Sequence, residues 1–212
     1  MSIIKSVVIS CAGIGSRLGS GTPKSLLDIN GRTLISRQLD YFRTVENIRI
    51  VLGFRANDII NEVLKYRNDV VFVFNHEYFE TKTGASFYVG AQYAGDYVLE
   101  WDGDLIVHPD DVDSILNTEG EFICYSDITS DEAVFVQTDK DGNVLAFSRE
   151  SGDYEWTGPA CISKSRLKPS NQNVYNMFEP NLPMKGMKIR AYDIDTQYDL
   201  ERVSNIVKSW EV

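Results

Sequence analysis

The 212 residues carry a net charge of −10, with 43% hydrophobic and 25% charged side chains. That acidic balance lacks the broad basic face of a nucleic-acid binder, and no run approaches the ~20 apolar residues of a membrane span. The three cysteines (Cys11, Cys124, Cys161) are odd in number and far apart, and His76 and His108 are the only histidines. A disulfide framework and a Cys/His metal centre are therefore excluded, and a folded α/β domain in a reducing, cytoplasmic setting is expected.

Residues 4–10 and 48–53 are β-branched runs without polar alternation, as in buried parallel strands. The first is too short and too weakly basic at its flank for a signal peptide. Between them, Leu34, Ile35, Gln38, Leu39 and Phe42 fall at helical spacing over 33–42. A second helix is expected at 57–66, a strand at 70–74, a third helix at 84–94 and a strand at 97–101. This alternation predicts a mostly parallel, twisted sheet with helices on both faces. After Asp104 the pattern becomes β-rich. A helix at 109–116 precedes strands at 121–125, 133–138 and 143–148, with a hairpin turn at 139–143. Strand 157–163, a poorly patterned stretch at 169–183, strand 187–192 and helix 197–210 complete one domain.

Residues 1–55 hold eight basic side chains against three acidic ones, a net +5 that leaves −15 for the remainder. Such a patch fits a small polyanion held with a cation, although scattered solvated charges account for most of it. The segment from Ala12 to Lys24 follows a strand and precedes a helix pattern, where main-chain N–H groups can converge on phosphate oxygens. Gly13, Gly15, Gly19 and Gly21 permit close approach of a ligand. A dinucleotide fingerprint fails because position 18 is Leu, and a P-loop fails because Pro23 stands where Gly is required.

What remains is Gly-x-Gly-Ser-Arg-Leu (13–18), then Pro23-Lys24 and Leu26 to Ile35. Further along stand Ile50 to Arg55, Asn75 ahead of Gly84-Ala85-Ser86, Trp101-Asp102-Gly103-Asp104, and Tyr192 to Thr196. In this order the set resembles the sugar-nucleotide pyrophosphorylases and related cytidylyltransferases, most of all the small phosphocholine, inositol-phosphate and alditol-phosphate enzymes. The resemblance implies a Rossmann-like, glycosyltransferase-A-like nucleotidyltransferase fold. Residues 1–104 would form the nucleotide-binding half and 105–212 the acceptor-binding half.

It also implies roles. Arg17 and Lys24 would hold the NTP phosphates as the catalytic cations. Ala12, Gly13, Gly15, Ser16, Gly84, Ser86 and Asp102 would contact the nucleotide. Asp104 and Asp195 would bind Mg²⁺, a hard ion suited to carboxylate, phosphate and water oxygens. Glu155, Trp156 and Glu179 are candidates for the acceptor pocket, where Trp156 with Tyr154 could enclose a quaternary ammonium. CTP is the expected donor, with UTP as the alternative, and Thr81 and Thr83 stand where the relatives tend to carry Asn. The partner is a small phosphorylated acceptor in cell-envelope biosynthesis, with no nucleic acid and no membrane, and the chain a monomer or homodimer. Plainer readings exist for each motif: a Gly-rich turn, an Asp-Gly turn, an Asp193/Asp195 helix cap, or aromatic packing. A glycosyltransferase of related fold and a non-catalytic nucleotide-binding domain are the competing classes.

Overall fold

Val7, Val8 and Ile9 have no exposed surface because strand β1 (Lys5–Cys11) runs through the middle of a seven-stranded sheet. The computed structural model describes residues 5–19, 21–129 and 133–210, with the Arg17 side chain outside that set. After β1 come two 3-10 turns, Ser16–Leu18 and Lys24–Leu26. A small hairpin follows, β2 (Asp28–Ile29) and β3 (Arg32–Thr33), joined by Asn30 and Gly31. Both turn residues have positive φ, as a two-residue hairpin turn requires.

Helix α1 (Leu34–Tyr41), β4 (Ile48–Leu52), α2 (Ala56–Val63), β5 (Val71–Phe74), α3 (Thr83–Ala91) and β6 (Tyr97–Asp102) continue the alternation. β7 (Leu105–Val107), α4 (Pro109–Asn117), β8 (Phe122–Tyr125), β9 (Phe135–Thr138), β10 (Val144–Ser148), β11 (Tyr154–Glu155) and β12 (Ala160–Ser163) follow. Last come α5 (Tyr175–Phe178), β13 (Lys185–Lys188), β14 (Ala191–Asp193) and α6 (Gln197–Trp210).

The main sheet has the order β13-β8-β12-β6-β1-β4-β5. β1 is parallel to β4 and β6, and β12 is antiparallel to both its neighbours. The sheet is therefore mixed but mostly parallel, as the alternation predicted. Two apolar clusters cover its faces, one around Phe42 and Trp101, the other around Phe87, Trp156 and Phe178. A third joins Leu27, Ile29 and Leu34 to Val203 and Val207 of α6, with Leu18 of the glycine segment packed on it.

Three expectations need correction. No α-helix follows the glycine segment directly. Gly15, Gly19 and Gly21 are left-handed and Pro23 interrupts, so only 3-10 turns form before α1. The run 187–192 is two strands, β13 in the main sheet and β14 paired with β7. The apolar alternation of Met187, Ile189 and Ala191 continues across the break, so periodicity cannot reveal it. The strand expected over 157–163 begins only at Ala160, and a short strand, β11, precedes it.

Candidate active site

Ligands bind at the carboxyl ends of strands in open α/β sheets. Here the carboxyl ends of β1 and β6 open into a cleft of about 1150 Å³, larger than a typical small-molecule pocket. Its floor carries Lys24, Asp102, Asp104 and Asp195. These residues are far apart in sequence, and three local features bring them together.

Asp102 ends β6 and Leu105 begins β7, so Gly103 and Asp104 form the bend between them. A Cβ at Gly103 would lie 2.6 Å from the Ser10 carbonyl and 2.7 Å from Cys11 Sγ, so only glycine fits. Asp195 arrives by pairing of β14 with β7, where Asp193 lies opposite Leu105 and the Ile194 N–H donates to the Asp104 carbonyl at 3.2 Å. Lys24 arrives on the second 3-10 turn, with Gly15 lying over its stem: a Cβ at Gly15 would meet Lys24 Cγ at 3.1 Å.

Lys24 Nζ donates to Asp104 Oδ2 at 2.6 Å and also to Asp195 Oδ1. Burial pulls the Lys24 ammonium downward, yet the two carboxylates outweigh it and hold its pKa above the ordinary lysine value. Burial and the neighbouring Asp104 raise Asp102 to about 7. Burial likewise pushes Glu100 and Asp193 well above the usual carboxyl range, with Asp102 the next influence on Glu100 and Asp104 on Asp193. The floor is thus a crowd of carboxyls that a cationic partner stabilises.

Asp195 is not spent on capping α6. Thr196 Oγ1 accepts from the Asp199 N–H at 3.1 Å, and Asp199 Oδ2 accepts from the Thr196 N–H at 2.9 Å. That reciprocal pair is a capping box with Asp in the Glu position, and it leaves Asp195 turned to the cleft.

The donor set suits a hard cation. Asp104 and Asp195 both reach a single ammonium, so they converge on one point, and both offer oxygen alone. Among the described residues no group of three or more His, Cys, Asp or Glu is arranged to hold a metal ion. The rest of a Mg²⁺ shell would come from phosphate and water, as Mg²⁺ sites commonly do.

Ala12, Gly13, Gly15, Ser16 and Ser86 also line the cleft. The Ala12 carbonyl accepts from the Phe54 N–H at 3.1 Å. Ser86 accepts from Asn75 Nδ2 at 3.1 Å. Gly84 lies outside the cleft lining. Its N–H donates to the Gln172 carbonyl, and a Cβ would stand 2.6 Å from that oxygen, so the glycine serves close packing. Arg17 sits in the first 3-10 turn, and its side chain lies outside the described set.

Glu155 and Trp156, both buried, also line the cleft. Glu155 accepts from the Thr129 N–H at 2.6 Å. Trp156 packs edge-on against Phe147 with ring centres 5.4 Å apart. Tyr154 does not join them in the cleft lining. Tyr154 instead stacks on Tyr125 at 4.6 Å beneath the Lys188 ammonium. Glu179 also lies away from the cleft, exposed and accepting from Asn176 Nδ2 at 3.0 Å.

The basic excess of residues 1–55 is dispersed rather than gathered. Lys5 donates to carbonyls at the end of α4, Arg49 to the Gly90 and Gln92 carbonyls, and Arg32, Arg37 and Arg43 line a separate small pocket. Sequence reasoning missed Tyr175 and Arg202, which also line the cleft, and offered Asp193 only as a helix cap. Tyr175 lies in the weakly patterned stretch 169–183, where no periodic signal exists. Among the described residues no helix is long and apolar enough to cross a membrane.

Comparison with known proteins agrees with this architecture. The choline-phosphate cytidylyltransferase of Streptococcus pneumoniae is 25% identical over 95% of this chain and 98% of that protein. That of Haemophilus influenzae is 35% identical, but the match spans only 45% of this chain and 42% of that protein. The solved inositol-1-phosphate CTP transferase of T. maritima shares the fold, with a TM-score of 0.82 at 16% identity over 100% of this chain and 97% of that one. Residues 7–163 match the MobA-like NTP transferase domain. The chain therefore belongs to the family of MobA-like NTP transferase domains, and is a nucleotidyltransferase.

Proposed function

We propose that this nucleotidyltransferase moves CMP from CTP to a small phosphorylated or phosphonate acceptor and releases pyrophosphate. The observation that supports this most is the convergence of Lys24, Asp104 and Asp195 on the floor of a cleft rimmed by a glycine segment. The full-length similarity to a choline-phosphate cytidylyltransferase favours CTP over UTP.

An acceptor phosphate oxygen, already an anion, attacks the α-phosphorus in line. A new P–O bond forms, the bond from the α-phosphorus to the bridging oxygen breaks, and its electron pair leaves with pyrophosphate. No general base is needed, so the task of the chain is to hold two anions together. Lys24 leaves its carboxylate partners to bind the α-phosphate or the acceptor phosphate. Arg17 takes the β- and γ-phosphates, and main-chain N–H groups of Gly13, Gly15 and Ser16 cradle the same chain of oxygens. Asp104 and Asp195 would hold Mg²⁺, which would supply positive charge to the phosphates. The Ala12 and Gly13 main chain and Ser86 face the base, and Glu155 and Trp156 face the acceptor.

In this reading the single domain divides into a nucleotide half to residue 104 and an acceptor half beyond it, working in the cytoplasm to activate a cell-envelope precursor. The test is a matrix of CTP, UTP, ATP, GTP and dTTP against phosphorylated sugars, alditols, amino alcohols and phosphonates with Mg²⁺. Pyrophosphate release with CTP and one acceptor class is expected. Release with no nucleotide across the panel contradicts the proposal.

A further inference from the structure

Helix α1 carries a fully buried amide, Gln38, whose Nε2 donates to two main-chain carbonyls, Asp102 at 2.9 Å and Leu105 at 2.7 Å. These carbonyls bracket Gly103 and Asp104. Both partners are acceptors, which fixes the amide with its NH₂ toward the bend, since the flipped form would oppose oxygen to oxygen. In this orientation Gln38 Oε1 is buried without a hydrogen-bond partner among the described residues. Leu or Met would fill the space without that orphan acceptor, whose burial carries a free-energy cost. The worth of the amide therefore lies in the two bonds it gives to the bend.

Two further bonds hold the same bend. The Gly103 N–H donates to the Ser10 carbonyl at 3.0 Å, and the Ile194 N–H donates to the Asp104 carbonyl at 3.2 Å. β1, α1 and β14 thus hold the backbone around Asp104 from three directions, and α1 does so through one side chain. We infer that Gln38 is a positioning residue that sets the direction in which Asp104 presents its carboxylate to the point shared with Asp195. The inference rests on the proposed role of those two carboxylates as the cation ligands.

The test is Mn²⁺ binding, followed by electron paramagnetic resonance in the presence of non-hydrolysable α,β-methylene-CTP. Gln38→Met keeps the side-chain length and removes both donors. Its Mn²⁺ dissociation constant should rise at least tenfold, while its metal-free nucleotide affinity stays within twofold of the unaltered protein. A purely structural role would lower the thermal midpoint and leave the Mn²⁺ constant within twofold, which overturns the inference. Gln38→Glu supplies an independent readout if the Met variant does not fold. A neutral acid there can donate one bond and a carboxylate none, so in either form its Mn²⁺ dissociation constant should rise at least threefold over that of the unaltered protein. A constant within twofold of the unaltered protein overturns the inference. Absence of Mn²⁺ binding in the unaltered protein with nucleotide present would instead overturn the proposed cation site, and the inference with it.

Discussion

The two walls of the cleft are built by different means. The wall that carries Lys24, Asp104 and Asp195 joins the bend after central strand β6, a 3-10 turn and the end of β14, where the side chains are held by a strand end, a glycine contact or a helix cap. The wall that carries Glu155 and Trp156 stands on a small three-stranded sheet, β10-β9-β11, and on the short helices after residue 169. The first wall presents charge in fixed positions, which suits phosphate chemistry common to a whole family. The second presents aromatic surface on short elements, which suits a site whose ligand differs from one relative to the next.

That contrast can be broken most directly on the charged wall. Lys24→Ala and Asp104→Asn should each lower turnover by about 10²–10³, the effect of losing one transition-state electrostatic contact, while circular dichroism shows a folded protein. Turnover near that of the unaltered enzyme in either variant would undo the site described here. On the aromatic wall, Trp156→Ala should raise the acceptor KM by roughly tenfold and leave the CTP KM unchanged, because lost apolar contact in a substrate pocket is worth about that much. An equal rise in both constants would mean that the two walls do not divide the substrates.

A third prediction uses the carboxyl crowding. Asp102 is raised from 3.8 to about 7, so the ligand-free folded protein retains a proton that the unfolded chain has lost. Stability should therefore fall as pH rises from about 4 to about 7. Asp102→Asn removes the charge that causes the fall. Its thermal midpoint should match that of the unaltered protein near pH 4 and exceed it by at least ~3 °C at pH 8. Parallel curves for the two proteins would contradict the shift. The smallest effect is expected at Glu179, exposed and outside the cleft. Glu179→Ala should change stability by no more than about 0.5 kcal/mol and leave both KM values unchanged.

The same contrast governs what could be read from sequence. The parts of the charged wall were legible as a glycine segment after a strand, an Asp-Gly-Asp bend and an Asp-Thr step before a helix, and the family resemblance alone joined them into one expected site. The parallel half of the sheet was equally legible, since β1 and β4 are apolar without alternation. Gln38 was visible only as one member of a helical stripe. Nothing in its spacing tells that its amide holds a bend 64 residues away. Gly84 read as a nucleotide contact through the resemblance of its Gly-Ala-Ser stretch, yet what approaches it is the Gln172 carbonyl. On the aromatic wall, Tyr154 and Trp156 share a parity, yet Tyr154 is taken up by Tyr125 and Lys188 and stays out of the cleft lining. Tyr175 lies where no period exists at all. Sequence reading reaches as far as local pattern does, and both walls are assembled by tertiary contact.

The most direct test of the central claim is the position of a bound cation. Crystals grown with α,β-methylene-CTP and Mn²⁺ would give an anomalous difference map. A peak is expected between the carboxylates of Asp104 and Asp195, with Lys24 drawn away from both toward phosphate oxygen. A nucleotide seated elsewhere, or a peak remote from those two carboxylates, would contradict the claim.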